Sequence, residues 1–183
     1  MKEIIKKLIY RFLFLLNRIF YPKIDLRDYN SFDMLKAAFF QKVLGFNRNV
    51  YWPVHRSTTV KAAENISRGT RLPGFSKNCH LDGRNGIIFG DNVWVGPNVT
   101  IVSMNHDLNN YSNYIKANPI IIKDNCWIAG NVIILAEVEL AEHTIIAAGA
   151  VVTKSFLEGN QLIGGNPAKV IKKLNNYIDK DVE

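Results

Sequence analysis

Cysteine is scarce. Cys79 and Cys126 are the only two in 183 residues, so a disulfide scaffold is not expected and a reducing compartment suits the chain better than secretion. Long apolar runs are missing as well. The most apolar stretch, residues 1–23, is interrupted by Arg11 and Arg18 and is followed by no small-residue cleavage site. Neither a bilayer span nor a secretory leader is expected there. Excess positive charge is lacking from most of the chain. The net charge is +7, but Lys2, Lys6, Lys7, Arg11, Arg18 and Lys23 stand against Glu3 in the first 23 residues, which leaves only +2 for the remaining 160. This argues against a nucleic-acid-binding face on the main domain. The length suits one domain with a sizeable core.

What the chain has is a six-residue step. From 122 to 152 every sixth residue is aliphatic: Ile122, Ile128, Ile134, Leu140, Ile146 and Val152. With 48% hydrophobic residues, six in one chosen phase arise by chance about one time in eighty. The fifth place of each six is small or β-branched (Cys126, Val132, Val138, Thr144, Ala150), and small residues often follow the aliphatic (Ala129, Ala141, Ala147, Thr153). A period of six fits neither the 3.6 of a helix nor the 2 of an ordinary strand. It marks a parallel β-helix built from short flat edges. Cys126 then points inward and reads as a small buried hydrophobe.

The frame recurs at Phe89, Val95 and Ile101, and further upstream at Val54, Val60, Ile66 and Leu72. The upstream fifth places (Thr58, Glu64, Thr70, Ser76) are polar, so distorted first edges are expected. Two breaks interrupt the series. Leu72 to Phe89 is seventeen residues, one short of three sixes, and Ile101 to Ile122 is twenty-one, three too many. Extra residues inside an edge would turn side chains to the wrong face, so they must leave as a loop. Residues 107–119, rich in Asn with two Tyr and a Pro, have that composition.

The ends read as helical. Residues 1–20 form an amphipathic helix, with Ile4, Ile5, Leu8, Ile9, Phe12, Leu13, Leu15, Leu16, Ile19 and Phe20 on a broad apolar face and Lys7, Arg11 and Arg18 opposite. It lies either on an anionic membrane surface or against its own domain or a sister subunit. Pro22 stops it. A second helix is expected from an N-cap at Ser31 to Gly45, and a third, charged one from Pro167 to about Asp179. The organisation expected is thus a helical segment at 1–50, a β-helix at 51–166 with the loop at 107–119, and a C-terminal helix and tail at 167–183.

Of four histidines, His106 falls where the repeat breaks, at the mouth of the loop. A rigid coil can fix a side chain there while the loop shields it, and imidazole takes a proton from a hydroxyl or amine near pH 7. A structural surface histidine is the alternative. His143, at an outward fourth place, is expected to be solvated; His55 and His80 stay undecided.

The runs FGDNVWVGPNVTI (89–101), NHD (105–107), DNCWIAG (124–130), AAGAVVTK (147–154) and GGNPAK (164–169), in this order, resemble the hexapeptide-repeat acyltransferases, and most of all the bacterial sugar and polysaccharide O-acetyltransferases. The resemblance covers residues 54–173 and not the first fifty. It implies a mainly β fold: a left-handed parallel β-helix with N-terminal helices, an extruded loop and a C-terminal helix, assembled as a homotrimer with active sites between subunits. It implies acetyl-CoA as co-substrate, no metal, and direct transfer in which His106 deprotonates an acceptor hydroxyl. An N–H of Ala129 or Gly130 would meet the oxyanion. Ala148, Thr153 and Lys154 would run beside the pantetheine arm, and Lys154, Lys169 and Lys172 would meet the coenzyme phosphates. Asn78, Asp82, Asn105 and Trp127 fall on the acceptor side. A carboxylate to orient His106 is expected, yet the loop offers only Asp107, so the orienting group stays open; a backbone carbonyl would serve. The implied location is cytoplasmic, peripheral on the inner membrane face if the first helix binds lipid.

Three other readings compete. Transfer to an amine, on an amino sugar or serine, needs the same base, although serine-specific relatives carry a larger helical domain than the fifty residues here. Zinc carbonic anhydrases of the same fold need two histidines close together after the loop, whereas the next after His106 is His143. A non-enzymatic β-helix scaffold is the third.

Overall fold

The computed structural model describes residues 2–179. The chain divides into two compact units, residues 1–56 and 57–183.

In the first unit, helix α1 spans Lys2–Phe20 and α2 spans Ser31–Ala38, continuing as a π turn over Phe39–Val43. The N-cap of α2 is Asn30 and not Ser31: the Asn30 side chain accepts from the N–H groups of Phe32 and Asp33, meeting two of the donors a helix start leaves unpaired. Gly45, at φ +83°, follows the π turn. Asn17 of α1 is buried and donates to the Ser31 carbonyl, 2.8 Å away. Gln41 is the polar centre of this unit. Its amide donates to the carbonyls of Val50 and Trp52 and its oxygen accepts from the Tyr21 hydroxyl.

The second unit is a parallel β-helix of three sheets. Sheet A stacks Thr59–Lys61, His80–Asp82, Thr100–Val102, Ile133–Ile134 and Val151–Val152. Sheet B stacks Ile66–Ser67, Ile87–Phe89, Ile120–Ile122 and Glu139–Leu140. Sheet C stacks Trp94–Val95, Trp127–Ile128, Thr144–Ile146 and Gln161–Gly164. Each coil runs A to B to C, so the prism has corners AB, BC and CA. The hexad aliphatics from Ile122 to Val152 are all 0% exposed and lie in columns, for example Val60, Leu81, Ile101, Ile134 and Val152 on sheet A. The fifth-place residues from Cys126 to Ala150 are buried with them. Val95, expected inward, is half-buried, and the first coil has no paired strand on sheet C.

The register corrects both expected breaks. Phe89 pairs with Ile122, on sheet B. Leu72 to Phe89 therefore covers an edge of nine residues to Leu81, a normal six to Ile87 and two more within one strand; the chain gains residues there and loses none. Ile101, on sheet A, and Ile122, on sheet B, are one edge apart and not three, so twenty-one residues contain an excursion of fifteen and not of three. Corners turn through left-handed backbone that Asn adopts at small cost. The BC corner stacks Asn92, Asn125, His143 and Asn160, and the CA corner Asn78, Asn98, Asn131 and Gly149, all with positive φ.

The expected C-terminal helix is absent from the described residues. Lys169–Lys173 form a strand antiparallel to Gln161–Gly164, covering the last open edge of sheet C. That edge offers ladder partners which an isolated charged helix could not match.

Candidate active site

The fifteen-residue excursion leaves at the AB corner and makes a two-stranded hairpin, Asn105–His106 against Tyr114–Ile115, with His106 opposite Tyr114. Its base is locked to the coil by two residues that the sequence analysis did not single out. Asn85 donates its amide to the carbonyls of Ser103 and Ile115, one on each side of the excursion. Arg84 donates to both carboxylate oxygens of Asp82 at 2.8–3.1 Å and lays its guanidinium 4.6 Å from the Tyr114 ring centre. The Asp82 side chain is only 2% exposed. Burial alone would raise its pKa, but the Arg84 hydrogen bonds outweigh that and hold it below the ordinary carboxylate range. Asp82 therefore braces the hairpin and has no lone pair facing solvent to offer an acceptor.

Tyr114 carries the brace to the imidazole, its ring 4.5 Å from that of His106. His106 is exposed, and its Nδ1 lies 2.5 Å from the Tyr111 carbonyl oxygen. A carbonyl can only accept, so Nδ1 carries a proton, and in the neutral imidazole this tautomer leaves the lone pair on Nε2. The orienting group left open by the sequence is thus a backbone carbonyl. Asp107 is engaged elsewhere, accepting from the N–H groups of Asn109 and Asn110.

The other candidates sort onto different ridges. Asn105 stands beside His106, and Thr153 and Lys154 are exposed at the same AB corner two coils on, Lys154 reaching over the Phe156 ring. The CA corner collects Asn78, Ala129, Gly130, Ala148 and, across from Gly164, Lys169. Asn78 is held in an amide ladder, donating to Asn98, which donates to Asn131. The Ala129 N–H donates to the Ile146 carbonyl and so cannot receive an oxyanion. Gly130 has no such bond among the described residues and remains the donor candidate. Between the AB and CA corners lies an edge of sheet A, about six residues or roughly 20 Å. Within one chain His106 and Gly130 leave from opposite ends of that edge.

Trp127 lies on the outer face of sheet C between Trp94 and Ile145. Together with Asn92, Asn125, His143 and Tyr177 these side chains enclose a groove of about 400 Å³. Tyr177 was not foreseen. Its hydroxyl accepts from Asn92 at 2.8 Å and its ring meets His143 edge-on at 5.2 Å. His143 is not the freely solvated residue expected but is half-buried, with Nδ1 2.8 Å from the Asn160 amide oxygen. Lys172, opposite Leu162, sits along the last strand and away from Lys169 at its start. Neither cysteine is available as a nucleophile. Both are buried, and burial pushes the Cys126 thiol up to about 12 and raises Cys79 as well. Among the described residues no three His, Cys, Asp or Glu side chains converge.

Residues 119–154 match the family model described as bacterial transferase hexapeptide (six repeats). A candidate acetyltransferase of Schizosaccharomyces pombe is 43% identical over 93 residues, which is 49% of this chain and 44% of that protein; the match thus spans less than half of the relative's length. Among solved structures, a maltose O-acetyltransferase from Clostridium difficile 630 is 27% identical with a TM-score of 0.51, covering 91% of this chain and 87% of the other. An N-acyltransferase from Bacillus cereus, solved with dTDP and 3-hydroxybutyryl-CoA, is 20% identical with a TM-score of 0.57 over 73% and 86% of the two chains, a likeness of fold.

Proposed function

Residues 119–154 carry the repeats of the bacterial hexapeptide transferases, and from that premise we propose that the chain is an acyl-CoA-dependent O-acetyltransferase of this family acting on a hydroxyl of a sugar or cell-envelope polysaccharide. The observation that carries the reading is the His106 imidazole, exposed on a braced hairpin with Nδ1 bonded to the Tyr111 carbonyl and Nε2 open. Nε2 takes the acceptor's hydroxyl proton as its oxygen attacks the thioester carbonyl. The tetrahedral oxyanion is met by the Gly130 N–H. Collapse breaks the C–S bond, and the leaving thiolate takes the proton back from His106, so no group on the enzyme is acylated. Acetyl-CoA is the co-substrate, with Ala148, Thr153, Lys154 and Lys169 as its contacts.

The separation of the two ridges supports a homotrimer. Three copies about an axis parallel to the prism set the AB ridge of one against the CA ridge of the next, and the site is complete only between them. The carbohydrate acceptor is supported by the amide and aromatic side chains of the hairpin loop, by the Trp94 and Trp127 ring faces, and by the likeness to the maltose O-acetyltransferase.

The test is His106→Ala. It should keep the trimer and coenzyme binding while turnover falls by about 10²–10⁴-fold; turnover at the wild-type rate removes His106 from its role. The acceptor comes from a screen with labelled acetyl-CoA against free sugars, nucleotide sugars and envelope glycans.

A further inference from the structure

Helix α1 is exposed on the side away from its partner helix. At about 100° per residue, Leu13, Phe14 and Asn17 share the side that faces α2, and Asn17 is buried there. Leu8, Phe12, Leu15 and Ile19, spaced i, i+4, i+7 and i+11, form a stripe on the other side. They are 59%, 60%, 62% and 72% exposed. Ile9 and Phe20 widen the stripe along one margin, both exposed. Lys7, Arg11 and Arg18 form a row along the other margin, about a quarter turn from the stripe's centre. The cations therefore flank the exposed apolar stripe and do not oppose it, which corrects the two-faced helix expected from the sequence.

We propose that this face docks α1 flat on an anionic phospholipid surface. A helix lying in a lipid interface sinks an apolar sector among the acyl chains and keeps a cationic margin at headgroup level. That is the order of side chains around α1. The charge distribution selects the partner. Residues 1–56 hold eleven Lys and Arg against four Asp and Glu, a net +7, while residues 57–183 hold twelve of each and are neutral. The whole positive charge of the chain thus belongs to the unit that carries the stripe. A second copy would bring +7 against +7 around an apolar contact, whereas an anionic leaflet neutralises it. No described helix is long and apolar enough to cross a membrane, so docking is lateral. The inference does not depend on the acyltransferase reading, and its test involves no turnover.

The experiment is co-sedimentation of the intact protein with large unilamellar vesicles of phosphatidylcholine, with or without phosphatidylglycerol. Binding to the anionic vesicles is expected, weaker by tenfold or more on neutral ones and falling as salt is raised. The double variant Phe12→Glu/Leu15→Glu should lose at least tenfold in binding to anionic vesicles. Arg11→Glu/Arg18→Glu should lose the preference for phosphatidylglycerol. All four side chains are exposed, so circular dichroism and melting should be unchanged. If the glutamates unfold the chain, Phe12→Ser/Leu15→Ser supplies the same comparison. Wild-type binding by a folded stripe variant, or no binding to anionic vesicles at low salt, overturns the proposal. So does self-association that the stripe variant abolishes while vesicles never bind, which would assign the face to a second copy.

Discussion

Substituting Gly96 tests the oxyanion role proposed for Gly130 without touching that residue. A methyl group at Gly96 would lie 2.8 Å from the Gly130 nitrogen and 2.9 Å from the Ala129 carbonyl carbon, where ordinary contact begins at 3.4 Å. Both obstacles are backbone atoms of the next coil, so relief requires the Ala129–Gly130 turn to move by about 0.6 Å. The ladder bond from Gly96 N–H to the Ile128 carbonyl, 2.8 Å long, resists that movement. The stability cost of overpacking is about 1–3 kcal/mol. For catalysis, losing an oxyanion donor costs about 10²–10³-fold in kcat, and a misplacement near 1 Å costs about 10²-fold. Gly96→Ala should therefore lower kcat by about 10–100-fold. Gly130→Ala is the informative contrast: its nearest neighbour would be the Pro97 carbonyl at 3.4 Å, the N–H is kept, and both stability and kcat should stay near wild type. Ile134→Val, buried on sheet A away from this turn, should cost about 0.5–1.5 kcal/mol and leave kcat alone. The assay is release of the coenzyme thiol, followed by a thiol-reactive chromophore with the acceptor found by the screen, alongside thermal melting. A folded Gly96→Ala enzyme with wild-type kcat would refute the role given to Gly130.

Arg84→Gln strands the Asp82 carboxylate; because the Arg84 side chain is 31% exposed, the cost should be about 2–3 kcal/mol, below the 3–5 of a fully buried pair. Its kcat should fall while coenzyme affinity holds, since Thr153 and Lys154 lie two coils beyond the hairpin and Ala148 and Lys169 on the other ridge; unchanged kcat would uncouple the brace from His106. Asp82 has a lowered folded pKa, so its contribution is fully present above the ordinary value of 3.8 and is lost as pH falls through the lower folded value. Limited proteolysis should show the wild-type hairpin still closed at pH 5 and opening only as the pH falls below 3.8, and Arg84→Gln should already be open at pH 5. Asn98 has φ +57° and two amide bonds. Asn98→Ala should cost about 1–2 kcal/mol and Asn98→Gly less, and equal melting temperatures would remove left-handed strain as the reason for Asn at this corner.

The inward residues were legible because a period of six repeats one environment, and Ile128, Ile134 and Leu140 meet it on three different sheets. For the same reason the sheet was illegible. Position within six tells whether a side chain points inward, but only the pairing of Phe89 with Ile122 tells which edge it is on. That is why an excursion of fifteen read as three. His106 was marked by the break itself. Arg84 and Asn85 were hidden because their partners, Tyr114 and Ile115, come from across the excursion. The C-terminal strand was missed because Val170 and Ile171 acquire a ladder only from the edge beside them. The corner asparagines Asn92, Asn98, Asn125 and Asn131 carried a readable turn signal.

The excursion departs and returns without disturbing the stack: Ile101 still pairs toward Ile134, and Phe89 toward Ile122. The scaffold therefore tolerates exchange of the residues between Ser103 and Ile115 other than His106 and its Tyr111 carbonyl partner, provided Asn85 finds a carbonyl on each arm and Arg84 a ring to cover. Under the proposed function, acceptor preference can then drift or be grafted as a cassette while the Gly130 turn on the other ridge stays under separate constraint.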